Sequence, residues 1–175
     1  SAQAMLAMSE LAARAGDKPE QVLKWINDAV AAEPTNPMPR QVLVDYQLRT
    51  RDFKAAATTA QAAVAAIPDN TDLLDRQARV QMASGDAQQA VSTFSRITQM
   101  RPTSASAFVN LGEAQMSAND LDGAARAARR ALELAPTAAP AQKLAVSVAV
   151  RQKRWKDAVA VARDMQTQQP KDASG

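Results

Sequence analysis

Thiol and imidazole chemistry are closed to this chain, because its 175 residues include neither cysteine nor histidine. That removes cysteine nucleophiles, Ser-His and Cys-His catalysis, most zinc sites and the usual proton shuttle near neutral pH. No glycine-rich phosphate loop is present either. Asp72 and Asp75, three residues apart, would share a helix face and keep acid–base work formally open. A simpler role suits them better, with Asp72 supporting a helix N-terminus and Asp75 solvated. No catalytic, metal or cofactor residues are assigned, and the chain reads as a non-enzyme.

The elements that position every side chain are set by a period. Pro34, Pro68, Pro102, Pro136 and Pro170 stand 34 residues apart, and Ala56, Ala90, Ala124 and Ala158 keep the same interval. A unit of this length made of two amphipathic helices cannot bury its apolar face alone, so successive units must stack. Alanine abundance, five glycines and 3% aromatic residues favour tightly packed helices over a sheet. Each proline lacks an amide donor and biases the residue before it away from helical geometry, which ends the second helix of a unit. Pairs of small residues, Ala78 with Ala90 and Gly112 with Ala124, would let the two helices approach closely. Larger residues such as Leu74, Phe94, Ile97, Phe108 and Leu111 would fill the space around them.

Ser84-Gly85-Asp86 and Ala118-Asn119-Asp120 supply tight turns, with Asp86 and Asp120 placed to cap the following helix. Asp69, Thr71 and Thr103 are the corresponding candidates for the first helices. Three units depart from the pattern. Unit one needs an extra residue in its turn Gly16-Asp17-Lys18-Pro19. Unit two has Arg40 at an apolar position, Arg51 for the turn glycine and an irregular start at Pro37-Met38-Pro39. Unit five, with Gln142 and Lys153 at the same two positions, is expected to pack least regularly. Trp25 and Trp155 read as packing anchors.

These residues resemble the tetratricopeptide (TPR) repeat. In the fourth unit Phe108, Leu111, Gly112, Ala118, Ala124, Ala131 and Pro136 fall at the family's positions 4, 7, 8, 14, 20, 27 and 32. The resemblance implies an all-α fold, a right-handed α-solenoid of five helix-turn-helix repeats at about 2–36, 37–70, 71–104, 105–138 and 139–172. It would form a single array over 1–175, cut from a longer one. The resemblance also implies a concave face lined by the first helices. The positions that line it give a mixed groove of Asp45, Leu48, Arg49, Asp75, Arg76, Arg79, Met82, Asn110, Glu113 and Met116, extended by Lys143 and Arg151. Such a groove suits a protein or peptide partner held by apolar anchors and oriented by charge. The terminal-carboxylate clamp of chaperone-docking members is missing, since Leu6, Gln41, Asp75 and Val109, and Glu10, Asp45, Arg79 and Glu113, occupy its positions.

Charges balance through residue 104, and the net +3 lies in the last two units. Arg126, Arg129, Arg130, Arg151, Lys153, Arg154 and Lys156 would form a basic patch, but interleaved carboxylates and the lack of a stacking aromatic series disfavour nucleic acid. No stretch resembles a transmembrane helix or a signal peptide. Three phrases, Ala13-Arg14-Ala15-Gly16-Asp17-Lys18-Pro19-Glu20, Ala65-Ala66-Ile67-Pro68-Asp69-Asn70 and Gln166-Thr167-Gln168-Gln169-Pro170-Lys171 with Gly175, resemble the TPR lipoprotein of bacterial PEP-CTERM/exosortase systems, the PrsT family. That likeness implies a non-catalytic scaffold in exopolysaccharide production and protein sorting, periplasmic and anchored to the outer membrane through a lipidated cysteine elsewhere in a longer protein. The alternative is a cytoplasmic peptide-binding adaptor or secretion chaperone. The last unit exposes Val161, Ala162 and Met165, so weak self-association through that end is also expected.

Overall fold

The computed structural model describes residues 1–168; Pro170, the last of the proline series, and Gln169, Lys171, Asp172 and Gly175 lie outside them. The described residues form ten α-helices and no strand. They run as hairpins: α1 (Ala2–Ala15) with α2 (Pro19–Ala32), α3 (Pro37–Arg49) with α4 (Phe53–Ala66), and α5 (Thr71–Ala83) with α6 (Ala87–Met100). Next come α7 (Ala105–Ser117) with α8 (Leu121–Leu134), and α9 (Ala139–Arg151) with α10 (Trp155–Gln168). From α4 onward every helix starts 34 residues after its counterpart. The chain falls into two compact units, Ser1–Gly85 and Asp86–Gly175. In the first, α3 touches α1 and α5 as well as its own partner α4; in the second, α7 touches α8 and α9, and α9 touches α10.

Backbone chemistry explains the helix limits. Before the prolines, Glu33, Ile67, Arg101 and Ala135 leave helical geometry with φ of −138°, −137°, −127° and −146°, because a following proline disfavours the helical conformation. Within the hairpins, Arg51, Gly85, Asn119 and Lys153 share one turn position with φ of 60°, 86°, 61° and 59°. The next amide then folds back onto the helix, as in Asp120 N to Gln115 O at 2.8 Å and Arg154 N to Ala149 O at 2.7 Å. Arg51 and Lys153 hold this left-handed conformation with a full side chain, at a cost of roughly 1–2 kcal/mol each relative to glycine. In the first hairpin the left-handed residue is Gly16, and two residues, Asp17 and Lys18, separate it from α2 where the other turns have one. That is the extra residue of the first turn.

The caps differ from expectation by one position. Asn36, Asn70 and Ser104, not Asp69, Thr71 or Thr103, cap the first helices: the Asn70 side chain accepts from the amides of Asp72 and Leu73 at 3.1 and 3.0 Å, and Ser104 from that of Ala107 at 3.3 Å. Thr71 is already helical. Asp120 caps α8 through the Gly123 amide at 2.9 Å, whereas Asp86 occupies the same position without a side-chain cap bond. The second hairpin starts regularly, contrary to the expectation from Pro37-Met38-Pro39. Asn36 accepts from the Met38 amide, and both prolines stand where helix amides have no internal acceptor.

Polar residues at the apolar position are also accommodated. Arg40 donates to the Pro34 carbonyl through Nε and Nη2 at 3.4 and 3.2 Å. Gln142, 5% exposed, donates to the Pro136 carbonyl at 2.9 Å. Each satisfies a carbonyl of the loop that leads into its own helix, and the fifth hairpin keeps the same helix limits as the others.

Small residues set the helix spacing. Ala56, Ala90 and Ala124 are fully buried and Ala158 nearly so. A Cβ at Gly112 would lie 2.5 Å from Leu144 Cδ2 and 3.3 Å from Ala127 Cβ, so α7 meets α8 and α9 where a side chain enters only by pushing the Leu144 tip aside. Around these contacts Val44, Ala60 and Val80 pack with Ala56, and Ala128, Leu144 and Val148 pack with Ala124. Trp25 packs on the cluster of Ala12, Val22, Ile26 and Leu43, but Trp155 is 59% exposed and anchors nothing.

Ala124→Leu is expected to cost about 1–3 kcal/mol through overpacking, while Ala87→Leu, at a half-buried helix start, costs less; urea melts compare them. Equal stability would disprove the role of the ladder. Glu33 supplies a pH test. Its carboxylate accepts from the Ala2 amide at 3.0 Å and from Asn36 Nδ2 at 2.8 Å, and these bonds, the Asn36 one foremost, lower its pKa. A lowered folded pKa gives stability that is present above the ordinary carboxylate range and lost as pH falls through it. Glu33→Gln should therefore be less stable than the native chain near neutrality, with the gap closing as thermal melts are taken into acid.

Candidate partner-binding site

The residues expected to line a groove lie on first helices in both units. In the first unit, α3 carries Asp45, Leu48 and Arg49, and α5 carries Asp75, Arg76, Arg79 and Met82. Most of their charge is spent internally. Arg76 donates from Nε and Nη2 to Asp45 Oδ2 at 3.1 and 2.9 Å, joining α5 to α3, and from Nη1 to the Asp72 carbonyl at 3.2 Å. Arg79 pairs with Asp75 one turn earlier on α5. Leu48 is half-buried against the cluster of Val44, Ala56, Ala60 and Val80, which leaves it little area to offer a partner. Arg49 differs. Its guanidinium lies 5.9 Å from the centroid of the Tyr46 ring and makes no ion pair among the described residues.

In the second unit, Glu113 and Met116 of α7 and Lys143 and Arg151 of α9 come together around one groove of about 320 Å³, with Leu144 and Ser147 between them. Lys143 and Arg151 stand two turns apart on α9, and Glu113 faces them from α7. Asn110, half-buried on α7, is outside that lining.

A larger opening lies in the first unit. Between α1 and α3 lies a cleft of about 690 Å³, walled by Leu6, Glu10, Met38, Val42, Tyr46 and Arg49 with Val22 and Ile26 of α2 beneath. Met38 and Val42 occupy the second and sixth positions of their repeat, which the repeat pattern assigns to the concave face. Tyr46 occupies the tenth, which the repeat pattern does not assign to the groove.

Other sequence features have local roles. Asp72 lies in the first turn of α5 and Asp75 serves Arg79, so they do not form a paired acid site. In the basic stretch Arg130 pairs with Glu133 and Arg154 with Asp157. Among the described residues there is no group of three or more metal-binding side chains, and no helix is long and apolar enough to cross a membrane.

This geometry defines a class: an all-α chain of repeated helix-turn-helix units with open grooves beside the first helices. Residues 76–139 match the tetratricopeptide repeat family, and the 34-residue unit continues on both sides of them. No curated protein matches the chain by sequence. Among solved structures the chain is similar to "MamA 41-end" from Desulfovibrio magneticus RS-1, at 19% identity over 97% of both chains and a TM-score of 0.80. It also resembles a thermophilic TPR protein of Thermus thermophilus, at 18% identity over 98% of this chain and 93% of that one, with a TM-score of 0.72. A third likeness is to YrrB, described as a TPR protein with an unusual peptide-binding site, at 17% identity over 97% of this chain and 88% of that one, with a TM-score of 0.71. The fold is that of tetratricopeptide-repeat proteins.

The Asp45–Arg76 bond should hold α3 and α5 together only modestly, because Asp45 is 47% exposed. A double-mutant cycle with Asp45→Ala and Arg76→Ala, read by urea melts, is expected to give a coupling of about 0.2–1 kcal/mol.

Proposed function

We propose that this chain is a non-catalytic scaffold that binds protein or peptide partners along its first helices. The observation that carries this reading is the pair of open, mixed-polarity grooves, about 690 Å³ between α1 and α3 and about 320 Å³ between α7 and α9. Both combine apolar floor with charged rim, the combination that anchors and orients a peptide. The peptide-binding site named for the similar fold of YrrB supports the same use. The groove residues in this proposal are those read from the repeat pattern, with Asp45, Asp75, Arg76 and Arg79 ordering the surface by internal pairing and Arg49, Lys143, Arg151, Glu113 and Met116 meeting the partner.

The narrower setting we propose is a bacterial envelope system for exopolysaccharide production and PEP-CTERM protein sorting, with this array periplasmic and held to the outer membrane as part of a longer lipoprotein. Its support is the three sequence phrases that resemble the PrsT family. The cytoplasmic adaptor differs in one checkable respect: cell fractionation of the full reading frame would leave it soluble in the cytoplasm, while the envelope scaffold would follow the outer membrane.

Reversing Arg49 and Arg79 together to Glu is expected to reduce capture of the native partner from an envelope extract at least several-fold with no loss of helicity. Reversing Arg129 and Arg130, exposed on α8, should have a smaller effect. Undiminished capture by the first variant together with loss by the second would move the site to the second helices.

A further inference from the structure

The cleft between α1 and α3 is polar at one end and apolar at the other. Along α3 the lining residues Met38, Val42, Tyr46 and Arg49 recur every three or four residues and so form one stripe. The stripe runs from apolar to cationic over eleven residues, about 16 Å of helix. Across from it, Leu6 continues the apolar end, while at the other end Glu10 and Arg14 neutralise each other in an ion pair. Arg49 is therefore the cation left to a ligand, and Tyr46 beneath its guanidinium restricts it to the mouth of the cleft.

We infer that this cleft takes an extended peptide segment of about five residues, with apolar side chains at its first and third positions and an acidic side chain at its fifth. The inference rests on the peptide-binding reading above and deepens it by naming the ligand's chemistry. In an extended strand the first and fifth side chains stand about 13 Å apart on one face, a span that the long side chain of Arg49 brings within reach of the stripe's two ends. Apolar residues then meet Leu6, Met38 and Val42, and the carboxylate reaches Arg49. An internal Asp or Glu fits better than a chain-terminal carboxylate, whose capture takes several convergent donors where this cleft offers one unengaged cation.

The probe is the capped peptide acetyl-LSLSE-amide, compared with LSLSQ and with the reordered LLSSE, each titrated into the isotope-labelled chain and followed by NMR. LSLSE should shift the signals of Leu6, Val42 and Tyr46 and bind about fivefold more tightly than LSLSQ, the ratio of an exposed ion pair near 1 kcal/mol. Arg49→Gln should erase that difference by weakening LSLSE alone, Tyr46→Phe should preserve it, and LLSSE should bind more weakly than LSLSE. Equal affinity of LSLSE and LSLSQ overturns the acidic position. Equal affinity of LLSSE overturns the extended, alternating pose. Shifts confined to the groove of Glu113, Lys143 and Arg151 overturn the assignment to this cleft while leaving the broader reading intact. Absence of binding by all three peptides overturns the inference, and the partner-capture experiment then judges the broader reading separately.

Discussion

Close approach of helices at small residues is the constraint on which the rest of this structure depends. A Cβ at Gly112 would press on Leu144 and Ala127, and Ala56 and Ala124 are fully buried at hairpin contacts. Helices held this near bury short side chains efficiently, so a chain with 3% aromatic residues can still build continuous apolar clusters. The same proximity makes the period strict. One residue more or fewer in a hairpin turns the alanine off the contact, and the single extra residue beside Gly16 is accommodated in the first turn before α2 begins.

Strictness in the contacts allows tolerance at the hinges. The shared turn position accepts Arg51, Asn119 and Lys153 in the left-handed conformation that Gly85 adopts without strain. The tight backbone bonds that follow, and the burial of the helices on either side, over-determine the turn enough to outweigh a cost near 1–2 kcal/mol. Polar intrusions are handled in the same spirit. Arg40 and Gln142 replace apolar packing with bonds to the loop carbonyls of Pro34 and Pro136.

Electrostatics then decides what the first helices can offer a partner. Asp45, Asp75, Arg76 and Arg79 look from their spacing like a charged groove, yet they answer one another and present a nearly neutral, ordered surface. Arg49 in the first unit, and Lys143, Arg151 and Glu113 in the second, make no ion pair among the described residues and keep their charge at the surface.

Helix limits, turn positions and the buried alanines were legible in the sequence because they follow from local rules repeated every 34 residues: proline ends a helix, a small residue permits contact, and a turn needs its left-handed residue. Caps were less legible, since Asn70 and Thr71, or Ser104 and Thr103, are chemically similar candidates and only the backbone's path selects between them. That Glu113, Met116, Lys143 and Arg151 share one groove follows from repeat position, because the inward faces of neighbouring first helices lie side by side. Tertiary structure decided the rest. It determined that Arg76 crosses to Asp45, that Trp155 stands in solvent, and that a cleft opens between α1 and α3 beside Tyr46. Each depends on distances and rotamers between helices far apart in sequence, which a local periodic pattern does not specify.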